Sequence, residues 1–253
     1  MEPAEYQKHF DLEESHWWFR GRRQILLALF PFLSKADRSR VWLDAGCGTG
    51  FNIKVFEPYG RVFGCDYSTD ALFFCQKRGL SNLVRADVQC LPYKTGAFDV
   101  VSLLDVLYHK KITDDVAVLR EAHRLLKEDG ILLIADSAFE FLRSAHDRAV
   151  HARERYRRKT LKPKLEKAGF EVVRMSYFNF VLFPLVVLVR LAERREGRIE
   201  ISRRAVQSDL RPVPAALNAA LSAILGFEAR IIKKKNLPWG SSIVCLARKK
   251  ASV

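Results

Sequence analysis

The sequence predicts an α/β protein built on a doubly wound, mostly parallel sheet. Three observations point there. Short apolar runs alternate with helical stretches as far as residue 137, the first run ends in a cluster of glycines, and several runs end in an aspartate. Strands buried on both faces read as continuous apolar runs, and each parallel neighbour must return through a helix.

The elements follow in order. Residues 20–33 form a helical stretch, Val41 to Ala45 a first strand, Arg61 to Cys65 a second, and Thr69 to Arg78 the helix after it. Asn82 to Arg85 and the strongly apolar Phe98 to Leu104 are the next strands. A helix over Asp114 to Lys127 leads through a turn at Asp129-Gly130 into a strand at Ile131 to Ala135. Beyond residue 137 the pattern changes. Residues 144–168 read as a basic helical region closing at Gly169, and Phe170 to Phe180 as an edge strand. Residues 181–196 and 213–229 read as helices, the second opened by Pro214 with Leu217, Leu221, Ile224 and Leu225 on one stripe. Ser242 to Arg248 is the last strand. The expected organisation is one domain over residues 1–253: a helical cap over 1–40, a core over 41–137, and a region over 138–253 with a helical insertion at about 181–235.

Composition narrows the class of function. With 253 residues, 49% of them hydrophobic, and only 13 Gly and 9 Pro, the chain is of globular type. It has no uninterrupted apolar stretch of the roughly 20 residues a membrane span requires, which argues against a channel or transporter. Its net charge of +14 is unevenly placed: residues 1–137 carry 18 Lys+Arg against 19 Asp+Glu, residues 138–253 carry 25 against 10. The basic half can meet a phosphate backbone, an anionic lipid surface, an acidic small substrate or only solvent. The five cysteines show no disulfide or zinc spacing, and the polar, acidic start resembles no export signal. A cytoplasmic protein is expected, free or peripheral to the inner face of the membrane.

The sharpest motif is Val41-Trp-Leu-Asp44-Ala-Gly46-Cys47-Gly48-Thr-Gly50. Glycines let the backbone approach a ligand closely. The dinucleotide fingerprint is GxGxxG with its pyrophosphate on a helix N-terminus. Here the spacing is GxGxG, Phe51 stands where the third glycine would, and Asp44 would repel a pyrophosphate. The loop suits a cofactor without phosphates and with a positive end.

On this loop and three companions the sequence resembles the class I S-adenosylmethionine (SAM) dependent methyltransferases, of the type 11/12 kind found among bacterial small-molecule enzymes. The resemblance covers residues 41–135 and implies a Rossmann-like seven-stranded sheet. In Gly64-Cys-Asp66-Tyr67-Ser68 it places Asp66 against the ribose hydroxyls, with Tyr67 beside it. Asp87 and Val88 match the segment that meets adenine, through a carboxylate and a backbone N–H. Phe98-Asp-Val-Val through Asp105-Val-Leu-Tyr-His109 matches the fourth strand, whose end at Asp105 lies under the methionine part. Leu126-Lys-Glu-Asp-Gly130 replaces the usual Leu-Lys-Pro-Gly-Gly turn. The run His16-Trp17-Trp18-Phe19-Arg20-Gly21-Arg22 is similar to a helix that closes over the cofactor in bacterial members. There Trp18 and Phe19 would face the sulfonium and Arg22 the methionine carboxylate; the alternative is that Trp17 and Trp18 anchor the helix in the core.

Methyl transfer is an in-line displacement in which positioning is the main task, with a base only where the acceptor must lose a proton. Ser102-Leu-Leu-Asp105-Val stands where adenine N-methylating enzymes have Asn/Asp-Pro-Pro-Tyr, and there is no Pro-Cys for cytosine C5 chemistry. Asp105 and Asp136 end strands where metal-dependent relatives hold magnesium, but Ser137 replaces the expected Asn, so no metal is expected. Candidate bases are His109, His146, His151 and Tyr156. The segment Asp147 to Tyr156 is similar to an Asp-x4-His-x-Arg-Arg-Tyr pattern but has one extra residue; a plain basic helix is the other reading. Met175 to Val189 is almost wholly apolar and is followed by Arg190, Arg194, Arg195, Arg198, Arg203 and Arg204. It reads either as an interfacial helix on anionic lipid or as a strand entering a core helix. The expected acceptor is a small or lipid-linked molecule, with tRNA or rRNA as the alternative.

Overall fold

The computed structural model describes residues 1–30, 38–195 and 208–250. Its strands are β1 (Arg40–Ala45), β2 (Gly60–Asp66), β3 (Leu83–Arg85), β4 (Phe98–Leu104), β5 (Leu126–Ser137), β6 (Phe170–Phe178) and β7 (Ser242–Lys249). They form a single seven-stranded sheet in the order β3-β2-β1-β4-β5-β7-β6. Strands β1 to β5 run parallel, and β7 runs antiparallel between β5 and β6. The Rossmann-like sheet implied by the resemblance is therefore present. Strand order reverses between β1 and β4, and the crevice outside the carboxyl ends there is where open α/β sheets bind ligands.

The two faces of the sheet carry separate cores, as strict alternation along each strand requires. In β5, Leu132 and Ile134 face one side; Ile131, Leu133 and Ala135 face the other. The first side is covered by α5 (Asp115–Leu125) and α7 (Arg158–Lys167) through Val118, Leu119, Leu161 and Leu165. The second is covered by α2 (Trp17–Ala28), α3 (Phe51–Phe56) and α9 (Ala215–Ile232) through Ile25, Leu26, Ile53, Phe56 and Leu225. The helix α4 (Thr69–Lys77) starts at Ser68, whose hydroxyl accepts from the Ala71 N–H, and α5 starts at Asp114, which accepts from Val116 and Ala117. Each cap satisfies N–H groups that the first helical turn leaves unpaired.

Several expectations need revision. Residues 1–40 do not act through one helix: α1 (Pro3–Leu12), which no apolar stripe announces, precedes α2. Residues 31–33 of the expected helix lie outside the described residues. The basic region over 144–168 splits into α6 (Ala145–Ala149) and α7, because the chain between them spends its backbone groups elsewhere. Tyr156 N–H donates to Ser137 O at 2.9 Å and Arg153 N–H to Tyr108 O at 2.6 Å. After β6, α8 (Phe183–Arg195) contains no buried residue as far as Glu193, so it is not a core helix. Arg198, Arg203 and Arg204 lie outside the described residues.

Helix α9 comes nearer to a membrane span than the sequence reading allowed. Its 18 residues have a hydropathy of 1.4, sufficient by length and composition, and only 28% of them are buried. One face packs on α2. A Cβ on Gly21 would overlap the Leu225 side chain, and one on Gly226 would lie 2.6 Å from Gln24 Oε1. These two glycines let the helices approach. Gly21→Val is predicted to cost roughly 1–3 kcal/mol by overpacking this contact, measured as a lower urea midpoint; an unchanged midpoint would contradict the packing described.

Candidate functional site

A cavity of about 520 Å³ opens at the carboxyl ends of β1, β2, β3 and β4, at the reversal of strand order. Its floor is the glycine loop. Gly46 (φ +79°) and Cys47 donate their N–H groups to Cys65 O at 2.8 and 2.9 Å, folding the loop back over the end of β2. A Cβ on Gly46 would lie 2.5 Å from the Val106 side chain, whereas one on Gly48 (φ +55°) would meet nothing within 4 Å. Gly46 is thus needed for packing, and the backbone at Gly48 faces open space. Gly48 N–H donates to Asp66 Oδ2 at 2.9 Å and Ser68 N–H to Asp66 Oδ1 at 2.8 Å. Both oxygens are held in place while keeping further lone pairs for hydroxyl donors. Burial pushes the Asp66 carboxyl up, against the pull of those backbone donors.

The other lining residues come from the following loops. Asp87 is oriented by Gln89 N–H at 2.9 Å, and Tyr67 carries Lys111 Nζ 4.0 Å above its ring. Asp105 takes φ +60°, a conformation that Asp tolerates better than most residues. It receives Arg22 Nη1 at 2.7 Å. Arg22 Nη2 is buried with no partner of its own. Phe19 and Arg22, three residues apart on α2, both line the cavity, as do Gly46, Cys47, Gly48, Asp66, Tyr67, Asp87, Val88, Asp105, His109 and His151.

Four expected site residues are placed elsewhere. Trp18 lies about 100° around α2 from Phe19; its ring stacks on Phe178 at 5.7 Å, so it anchors the helix. Asp44 is buried beneath the loop and accepts from Ser102 Oγ at 2.5 Å. Tyr156 is fully buried behind the β4 loop, where its hydroxyl donates to Leu107 O at 3.1 Å and Asp115 Oδ2 at 2.9 Å. Burial holds its phenol protonated far above the ordinary range. His146 does not line the cavity either. The neighbouring Asp147 is spent on a bidentate pair with Arg155, at 2.7 and 2.9 Å.

His151, by contrast, is turned into the cavity at φ +58°, with its ring 5.7 Å from that of His109. Its Nε2 lies 2.7 Å from Glu2 Oε1. Nitrogens from both imidazoles converge on one point, the Met1 nitrogen, at 3.3 Å from His151 Nδ1 and 3.4 Å from His109 Nε2. Burial pushes the His109 imidazole down to about 4. Sequence reasoning missed the contribution of α1: Met1, Tyr6, His9 and Glu13 close one side of the cavity. Arg78 ties that segment down, donating to Phe10 O at 3.0 Å and Glu13 Oε2 at 3.1 Å.

These residues fit the cofactor that the resemblance implies. Asp66 and Asp87 line the cavity with acceptors suited to hydroxyl and amino donors, and the space over Gly48 admits a ligand. The unpartnered Arg22 Nη2 can take a carboxylate. Asp44 and Asp136, buried at the neighbouring strand ends, favour a cation nearby. Burial holds the Asp44 carboxyl up at about 6, against about 3.9 in an unfolded chain. The folded state therefore binds the proton more tightly, so this group's contribution to stability is greatest below pH 4 and is lost as pH rises through about 6. Asp44→Asn, which keeps the acceptor for Ser102, should gain stability over wild type across that window, by about 2–3 kcal/mol at pH 7. Chemical denaturation at a series of pH values reads the difference; a gap that does not widen between pH 4 and 6.5 would contradict it.

Comparison with known proteins bears on the family and the fold. Residues 43–134 match the family described as "Methyltransferase domain". A tRNA U34 carboxymethyltransferase of Psychromonas ingrahamii is 30% identical over 194 residues, covering 69% of this chain and 55% of that protein. A malonyl-[acyl-carrier protein] O-methyltransferase of Legionella pneumophila is 34% identical over 98 residues, covering 36% of this chain and 34% of that protein. The chain thus spans about half or less of the length of these curated relatives. Among solved structures, a chain of the complex between the Haloferax volcanii Trm112 methyltransferase activator and a methyltransferase superposes with a TM-score of 0.64 at 16% identity, covering 99% of this chain and 96% of that one. Residues 43–134, with their glycine loop and within this sheet order, therefore form a methyltransferase domain of the class I fold, whose cofactor is SAM.

Proposed function

We propose that the protein transfers a methyl group from SAM to a small or lipid-linked acceptor in the cytoplasm. The observation that carries this reading is the position of α1. Met1, Tyr6, His9 and Glu13 form one wall of the cavity that also holds the glycine loop and Asp66. An acceptor reaching the cofactor must fit beneath a helix, which suits a small molecule or the tip of a longer one better than a folded RNA. Bound SAM supplies an electrophilic methyl carbon: the acceptor's lone pair forms the new bond, and the carbon–sulfur bond breaks with its electrons left on sulfur.

The chain's own task is to orient the partners and to take a proton where one must leave. His151 is the better placed base. Its Nε2 faces Glu2 Oε1 at 2.7 Å, which fixes the proton on Nε2 and leaves the Nδ1 lone pair on the cavity side, where the Met1 nitrogen lies 3.3 Å from it. His109 Nδ1 instead accepts from Lys111 N–H at 3.3 Å, so in its neutral form Nε2 carries the proton and serves as a donor. Glu2 acts as a positioning residue, and its hydrogen bond to His151 holds it below the usual carboxylate range.

A second reading, methylation of tRNA or rRNA, is favoured by the 25 Lys+Arg against 10 Asp+Glu in residues 138–253 and by the alignment over 69% of the chain with a tRNA-modifying relative. Incubation with methyl-labelled SAM and fractionated small-molecule, lipid and RNA pools separates the two. Label in the small-molecule or lipid fraction is expected, and label confined to RNA would replace the first reading with the second. Calorimetric titration should show SAM binding that Asp66→Ala weakens at least about a hundredfold, since two hydroxyl bonds to a charged group are lost. His151→Ala should lower kcat about 10²-fold or more while leaving SAM affinity within a few-fold. Equal kcat in wild type and His151→Ala would remove the assigned base.

A further inference from the structure

The insertion between β6 and β7 presents a surface that the methyl-transfer reading does not use. Helix α8 is turned inside out. Its Arg190 is turned toward the protein: Nη1 lies 2.8 Å from Glu193 Oε2, the same guanidinium pairs with Asp209, and the Arg190 side chain is only 15% exposed. Its leucines face outward, Leu185 59% and Leu188 64% exposed, with Val189 and Leu191 exposed as well and Val181 exposed just before the helix. A surface helix of a soluble protein has the opposite arrangement.

Helix α9 continues the pattern. The face away from α2 exposes Leu217, Ala220, Ala223 and Phe227, and just beyond lies exposed Trp239. The segment entering α8 is tied to α9: Glu228 on α9 accepts the N–H groups of Phe180 and Val181 at 3.0 and 2.9 Å, and Phe180 stacks on Trp239 at 4.9 Å. Arg230, Lys233, Lys234 and Lys235 follow, all exposed. Because β6 runs parallel to β5, this junction stands at the same edge of the sheet as the ends of β1, β4 and β5, where the cavity opens.

From this arrangement we propose that α8 and the outer face of α9 dock on an anionic lipid bilayer, with the basic cluster around Arg230 and Lys233–Lys235 on the headgroups. An outward row of leucines, a tryptophan at its border and flanking lysines match the chemistry of an interfacial helix, which buries its apolar face at the acyl boundary and draws its charge preference from anionic lipid. The same charge argues against a second copy of the chain as the occupant, since two such faces would bring their lysines together. Docking would turn the carboxyl edge of the sheet, and hence the cavity, toward the membrane. The inference stands whichever acceptor is methylated.

Flotation of the full chain with phosphatidylcholine vesicles, with and without phosphatidylglycerol, tests it. Binding to the anionic vesicles is expected, at least about tenfold stronger than to phosphatidylcholine alone. Leu185→Glu with Leu188→Glu should reduce it by at least about tenfold, and Lys233→Glu, Lys234→Glu and Lys235→Glu together by about a hundredfold, at roughly fivefold per lysine. Unchanged SAM affinity in both variants shows that the fold is intact and separates this result from the methyltransferase reading. Absence of binding, equal binding to both vesicle types, or variants that bind like wild type would overturn the proposal. So would light scattering that shows a dimer dissociated by Leu188→Glu.

Discussion

Carboxylates held out of water at the ends of parallel strands are the constraint on which the site depends. Asp44, Asp66, Asp105 and Asp136 end β1, β2, β4 and β5 or begin the turns after them, and burial pushes Asp44, Asp66 and Asp136 upward. Arg22 is the cation set among them, bound to Asp105 at 2.7 Å. Burying charge without full compensation costs stability, and both Asp136 oxygens lack a partner in the structure. A fold selected for stability alone would place apolar residues there. The arrangement makes sense as a site of negative potential that a cationic ligand completes, while the glycine loop supplies the clearance.

That site is held in place by contacts from sequence-distant parts of the chain. Helix α2 brings Phe19 and Arg22 to the cavity because its opposite side is fixed by α9 at Gly21, and α9 belongs to the insertion some two hundred residues later in the chain. The Trp17 N–H donates to Asn218 Oδ1 at 2.7 Å and Asn218 Nδ2 to Ser15 O at 2.9 Å, so both ends of the α1–α2 turn are pinned to α9. Cofactor wall and insertion are therefore mechanically linked. Whatever meets the outer face of α9 lies one helix away from Arg22.

The strands and the cofactor loop were legible because few residue types satisfy their constraints. The strand over Phe98–Leu104 agrees with the sequence reading to the residue; a doubly buried strand admits little but apolar side chains. Gly46 is recognisable because its positive φ and the Val106 contact exclude a Cβ. What stayed hidden depends on tertiary phase. Trp18 and Phe19 are equally aromatic, and only the packing against Phe178 decides that the first is an anchor and the second lines the cavity. Tyr156 looked like a base and is a buried donor to Asp115. Helix α1 has no apolar stripe, so Tyr6, His9 and the Glu2–His151 pair gave nothing to read. The inversion of α8 stayed one of two open readings, since an apolar run has the same composition whether it faces a core or the outside.

The most direct test of the central claim, that these carboxylates and the GxGxG loop form a site for a phosphate-free cofactor with a positive end, is calorimetric titration of the full chain with SAM and, in parallel, with NAD. SAM should bind at one site and raise the unfolding midpoint, by about 2.7 kcal/mol of added stability at a hundredfold excess over Kd. NAD, whose pyrophosphate is disfavoured by Asp44 and by Phe51 at the third glycine position, should show no binding. NAD binding as tight as that of SAM, or no heat with SAM, would contradict the account.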